Sequence, residues 1–188
     1  TVTVPKEWHG KTLLLTIDGA AHDSKVYWNG KLIGEHHCGY TAFTMDVTEE
    51  AVYGGDNELV IQVDSRENLN IPPFGFLVDY MTYGGIYRDV YLDVVNTTYL
   101  SDVFIHSEIK DVMKKKIVST SVITWNTEVK EGCIRQYIRK KGETEYRFLN
   151  ESAIAGGTKI KLYSHPVNVE LWDVDSPVLY EVKTQLLS

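Results

Sequence analysis

The sequence predicts an all-β chain of two domains, and three observations carry that prediction. Ile86 to Val94 alternates without a break: Ile86, Arg88, Val90, Leu92 and Val94 fall on one side, Tyr87, Asp89, Tyr91 and Asp93 on the other. A period of two over that length is a strand with one buried face. Asn29-Gly30 stands between Lys25-Val26-Tyr27-Trp28 and Lys31-Leu32-Ile33-Gly34, the strongest short hairpin signal, because both residues tolerate the positive φ of a type I′ turn. After Asn96-Thr97-Thr98, short alternating segments recur through to the end of the chain.

Taken in order, Thr1 to Val4 reads as the end of a strand stopped by Pro5. Gly10-Lys11 turns into Thr12–Ile17, where Leu13, Leu15 and Ile17 share a face, and Asp18-Gly19 ends that strand. The Asn29-Gly30 hairpin follows, then an extended segment from Gly39 to Thr48, and a Gly54-to-Asn57 turn into Glu58–Val63. No segment of this half carries a helical period of useful length. Ser65 to Tyr83 is long and irregular but rich in Phe74, Phe76, Leu77, Tyr80 and Tyr83, which argues for a functional loop over a disordered one. In the apolar register of the next strand sits Arg88, whose guanidinium is expected to be buried and paired, since an unpaired buried charge is costly.

The second half offers strands near 102–108, 117–125, 133–139, 146–149, 158–163, 167–171 and 180–187, parted by turns such as Lys141-Gly142 and Gly156-Gly157. Seven short strands in roughly ninety residues suit an immunoglobulin-like β-sandwich, which needs no disulfide.

Composition narrows the function classes. Of the 188 residues 43% are hydrophobic, enough for packed cores, and the net charge is −7. Beyond Lys114-Lys115-Lys116, read as a solvated turn, no block of basic residues offers a nucleic-acid surface. Nothing is long and apolar enough for a membrane span. Cys38 and Cys133 fall in different predicted domains, so a reducing compartment is expected, and with it a cytoplasmic location. An opening Thr-Val-Thr-Val without Met suggests a piece of a longer protein.

Four motifs in fixed order resemble one family. Val26-Tyr27-Trp28-Asn29-Gly30 with Ile33-Gly34, Gly39-Tyr40-Thr41-Ala42-Phe43 with Asp46-Val47-Thr48, Gly55-Asp56-Asn57-Glu58-Leu59, and Gly84-Gly85-Ile86-Tyr87-Arg88-Asp89-Val90 are similar to the N-terminal sugar-binding domain of family 2 glycoside hydrolases. That family includes β-galactosidases, β-glucuronidases and β-mannosidases. Trp172 with Pro177-Val178-Leu179-Tyr180 resembles the exit from its immunoglobulin-like domain. The resemblance implies a jelly-roll-like domain over residues 1–96, lacking its N-terminal edge, and an immunoglobulin-like domain over 97–188. It also implies a (β/α)₈ catalytic barrel elsewhere in the parent, supplying both carboxyl groups of a retaining mechanism.

On that basis the fragment is expected to hold no catalytic residue. The Asn57-Glu58 and Asn150-Glu151 pairs are chance matches to the family's acid–base motif, and His36-His37-Cys38 is no metal site, because adjacent strand residues face opposite ways. The resemblance marks Asp79 as a substrate contact, directly or through a cation in the parent. Tyr80 and Tyr83 could line the same rim by stacking on a sugar, or simply pack. Arg88, Asn29, Gly30 and Gly85 are given structural roles. Expected partners are a carbohydrate substrate, the barrel of the same chain and further copies of the parent, with neither nucleic acid nor membrane. The alternatives are a free-standing carbohydrate-binding module, which would expose an aromatic platform, and a purely structural sandwich pair.

Overall fold

A computed structural model describes residues 1–66, 69–70 and 83–187. The chain divides into two compact units, Thr1–Thr97 and Thr98–Ser188. Both are built from antiparallel strands, as the alternating patterns require; among the described residues the only helical turns are two short 3₁₀ segments, Lys6–Trp8 and Thr48–Glu50.

Among the described residues, ten strands make the first unit: β1 (Val2–Val4), β2 (Thr12–Ile17), β3 (Ala20–Ala21), β4 (Asp23–Trp28), β5 (Lys31–His36), β6 (Phe43–Asp46), β7 (Gly55–Asn57), β8 (Leu59–Asp64), β9 (Gly85–Ile86) and β10 (Val90–Val95). They form sheets in the orders β10-β2-β6 and β5-β4-β8, with β1 paired to β7 and β3 to β9. Leu13, Leu15 and Ile17 from β2 meet Val26 and Trp28 from β4 in one buried cluster that Val4, Ala20 and Val47 complete. Branched aliphatic side chains on a pleated surface favour this sheet-on-sheet packing. Truncating one of them would cost about 2–5 kcal/mol.

Seven strands make the second unit: β11 (Leu100–Asp111), β12 (Lys116–Trp125), β13 (Gly132–Lys140), β14 (Arg147–Ile154), β15 (Lys159–Tyr163), β16 (Val167–Asn168) and β17 (Tyr180–Leu187). One sheet runs β11-β12-β15 with β16 also on β12, and the other runs β14-β13-β17. Ile123, Trp125, Val129, Ile134, Ile154 and Leu162 fill the core between them. Gln136 of β13 is fully buried there and spans the sandwich. Its Oε1 accepts the Ser121 hydroxyl of β12 at 3.0 Å, and its Nε2 donates to Thr184 Oγ1 of β17 at 3.0 Å. With both ends satisfied, a buried amide is tolerated and pins the register of the two sheets.

The strand expected to run unbroken from Ile86 to Val94 is instead two. β9 pairs with β3, β10 pairs with β2, and residues 87–89 step between them. The cause lies in the partner strand, which itself breaks at Asp18-Gly19. There the Asp18 N–H donates to the Asp89 carbonyl at 2.9 Å and the Tyr87 N–H to the Gly19 carbonyl at 3.3 Å. The step shifts the register, so Ile86 and Arg88 are exposed while Leu92 and Val94 still pack on the core. The expectation of a buried, paired Arg88 is therefore corrected. Its Nη1 donates to the Tyr40 carbonyl at 3.4 Å, its guanidinium lies 5.2 Å from the Tyr87 ring centre, and no carboxylate among the described residues pairs with it.

Candidate functional site at the root of the aromatic segment

Of the residues singled out for substrate contact, Asp79 and Tyr80 lie outside the described residues. Tyr83 is described and exposed, at the point where the chain returns to the first unit. What the structure defines is the root from which the 66–84 segment leaves and to which it returns.

One hydroxyl ties the two ends together. Ser65, directly after β8, donates to the Ala21 carbonyl of β3 at 2.7 Å and accepts the Gly85 N–H of β9 at 3.0 Å. Gly84 fits against it because it lacks a side chain; a Cβ there would stand 2.7 Å from Ser65 Oγ. Gly85 has φ +77°, a left-handed conformation that only glycine adopts without strain, and this turns the chain into β9. On the outgoing side Arg66 folds back on Asp64, its Nε at 2.9 Å and 3.1 Å from the two carboxylate oxygens and its own N–H at 3.0 Å from Oδ1. These bonds from Arg66 lower the Asp64 carboxyl to about 2.

Beneath the root, the 37–41 turn is packed into place. The Tyr87 hydroxyl donates to the Gly39 carbonyl at 2.5 Å, and a Cβ on Gly39 would lie 2.9 Å from His22 Nδ1. His22 Nδ1 is buried with no hydrogen-bond partner among the described residues. Hydrogen bonds from the Thr41 side chain and then from the Tyr40 backbone lower the Cys38 thiol below its ordinary range. His36 and His37 diverge: His36 stacks on Phe43 at 4.3 Å, whereas His37 Nδ1 lies 2.7 Å from Asp23 Oδ1.

At the opposite end of β4 and β8 from the root, Asn29 (φ 50°) and Gly30 (φ 81°) form the left-handed pair of the β4–β5 turn. Asn29 does more than turn the chain, because its Nδ2 donates to the Glu50 carbonyl and to Asn57 Oδ1, and its Oδ1 accepts the Glu58 N–H. Asn57, a residue of the Gly55–Leu59 motif whose pairing with Glu58 is a chance match to the acid–base motif, is buried and is the polar centre of this end. Its Oδ1 accepts from Trp28 Nε1 at 3.2 Å, Asn29 Nδ2 at 2.8 Å and the Val52 N–H at 2.7 Å. The one signal for it in the sequence is the Gly55-Asp56-Asn57 turn, which says nothing of a buried tryptophan indole in need of an acceptor.

A family profile described as "Glycosyl hydrolases family 2, sugar binding domain" matches residues 1–95, and one described as "Glycosyl hydrolases family 2" matches residues 98–188. The chain belongs to glycoside hydrolase family 2. Among its family 2 relatives, the β-galactosidase of Thermoanaerobacter pseudethanolicus is 35% identical over 194 residues, covering 98% of this chain and 25% of the relative. A β-glucuronidase of Bacteroides fragilis is 41% identical over 95 residues, 50% of this chain and 13% of that protein. The crystal structure of a Bacteroides uniformis β-glucuronidase superposes with a TM-score of 0.83 at 28% identity, over 98% of this chain and 23% of that one. The family 2 chain described here thus spans about a quarter of the length of the β-galactosidase it matches.

Proposed function

We propose that this chain is the non-catalytic N-terminal part of a retaining glycoside hydrolase acting on β-galactosides or β-glucuronides. The observation that carries the reading is the coverage: 98% of this chain aligns with 25% of a β-galactosidase. The two sandwiches then support a catalytic barrel of the same parent and shape the rim of its pocket, within an assembly of several copies. A retaining mechanism needs two carboxyl groups about 5–5.5 Å apart, and we assign both to the barrel. Asp79 is our candidate for substrate contact, through a sugar hydroxyl or a bound cation, with Tyr80 and Tyr83 beside it on the rim. The Ser65–Gly85 root supports this assignment because it fixes both ends of the segment that carries Asp79.

The test compares this chain with the full reading frame of its parent on chromogenic β-galactoside and β-glucuronide substrates. The parent is expected to turn over one of them and the isolated chain neither. Turnover by the isolated chain, abolished by a substitution within it, would overturn the reading. In the parent, Asp79→Ala is expected to lower kcat/KM by about ten- to a hundredfold, the worth of one charged hydrogen bond. Unchanged kinetics would remove Asp79 from the site.

A further inference from the structure

Lys114 and Lys115, in the exposed turn between β11 and β12, form one wall of a recess in the second unit. The recess has a volume of about 420 Å³ and gathers Lys114 and Lys115 from the β11–β12 tip, Lys140 from the end of β13 and Arg147 from the start of β14. Its acidic lining is Glu143 and Glu170. Both are engaged: Glu143 Oε2 lies 3.3 Å from the Lys140 N–H, and both Glu170 oxygens accept from Lys140 Nζ, at 2.9 Å and 2.8 Å. Lys140, and after it Lys115, hold the Glu170 carboxyl below its ordinary range. Lys114 reaches Asp111 only at 3.8 Å. Among the described residues no carboxylate lies within ion-pair distance of Lys115 or Arg147, and four cations meet two carboxylates in the lining.

Backbone bonds hold the wall in place. The Val169 N–H donates to the Lys115 carbonyl at 2.9 Å, Lys116 pairs with Asn168, and the Glu170 N–H donates to the Tyr180 hydroxyl at 2.8 Å. Arg147 Nη2 is anchored on the Asn168 carbonyl at 2.5 Å. This convergence runs against the chain's charge of −7, which belongs to the first unit; the second carries thirteen Lys and Arg against twelve Asp and Glu.

We propose that this recess binds the oxyanion of an acidic saccharide, a uronate carboxylate or a sulfate ester. Its volume suits one or two sugar rings, and its excess of cations supplies the donors a planar or tetrahedral oxyanion accepts. The saccharide half of the proposal rests on the proposed function; the oxyanion half rests on the recess alone.

The experiment is an NMR titration of the ¹⁵N-labelled chain with methyl β-D-glucuronide, D-galactose 6-sulfate, uncharged methyl β-D-galactoside and inorganic sulfate. Both or either of the charged sugars should move the amides of residues 114–116 and 168–170, and comparing the two separates uronate from sulfate ester. The uncharged sugar should leave those amides in place, and affinity should fall as salt screens the site. The double variant Lys114→Gln/Lys115→Asn should bind about tenfold more weakly or worse, a loss of roughly 1.4 kcal/mol. Asn is chosen at 115 because it tolerates the left-handed backbone there (φ 50°), and an unchanged midpoint of thermal unfolding checks the fold. Equal shifts from the uncharged sugar, no shift from either charged one, or undiminished binding by the variant would overturn the proposal. Inorganic sulfate binding as tightly as the sugars would overturn its saccharide half. Hydrolysis by the parent is measured separately, so loss of this site and loss of the proposed function are told apart.

Discussion

Asn57 and Arg88 reverse the weights that the sequence gives them. Asn57 is 1% exposed and its carboxamide oxygen satisfies the Trp28 indole N–H, the Asn29 amide and a backbone N–H at once. Leaving a buried donor unpaired costs about 1–3 kcal/mol, and three donors share this acceptor. Asn57→Ala is therefore expected to destabilise the first unit by roughly 3 kcal/mol or more, read from the denaturant midpoint. Arg88→Ala is the contrast. Its guanidinium is exposed, with one long bond to a carbonyl, so the shift should stay within about 1 kcal/mol, the range of exposed polar contacts. A larger loss for Arg88 than for Asn57 would contradict the observed register of β9 and β10.

At the scale of an element, the root of the 66–84 segment is held by one short turn and one serine. Ser65→Ala removes a donor to Ala21 and an acceptor for Gly85, two bonds worth about 0.5–1.5 kcal/mol each. Hydrogen exchange at the Gly85 amide should accelerate in the variant while amides in the β2 core keep their protection. Matching rates for Gly85 in both proteins would show that Ser65 does not hold the root. Acidity probes the outgoing side. The Asp64 carboxyl is depressed to about 2 by Arg66, so its contribution is complete above the ordinary carboxylate range near 4 and is lost as pH falls through about 2. An NMR titration of the Arg66 amide, which bonds Asp64 Oδ1, should show a midpoint near 2 and become flat in Asp64→Asn. A midpoint near 4 would mean the turn is not closed in solution.

For the whole molecule, charge is the property with a direct outcome. The chain carries −7 at neutral pH and reaches zero near pH 5.3, where mutual repulsion between copies vanishes. Light scattering of concentrated solutions should peak near that pH and fall on either side. Because the first unit holds fourteen Asp and Glu against six Lys and Arg, replacing two of its exposed carboxylates with amides should move the peak upward. A peak that stays in place after such a change would tie association to apolar contacts instead of net charge.

Read by itself, the sequence determined the all-β class, most strands of both units and the family. Alternation at Leu13, Leu15 and Ile17, the Asn-Gly turn and ordered glycine motifs are all local, and a period of two places side chains on a face whatever lies across from it. The seven strands of the second unit overlap the segments their alternation marks, although β14 runs on to Ile154 and β16 stops at Asn168. Tertiary structure alone decided which alternation survives and which polar groups meet. The 86–94 run is a perfect strand pattern, yet it breaks because its neighbour breaks at Asp18-Gly19, a partner about seventy residues away that no local period can see. Asn57 is the acceptor of a buried indole, Gln136 bridges two sheets, and Lys114 and Arg147 line one recess, each through chain separations that only folding closes. The physical reason is common to all three: a side chain's periodicity is fixed by its own backbone, whereas its hydrogen-bond partners and its counter-charges are fixed by whatever the fold brings opposite.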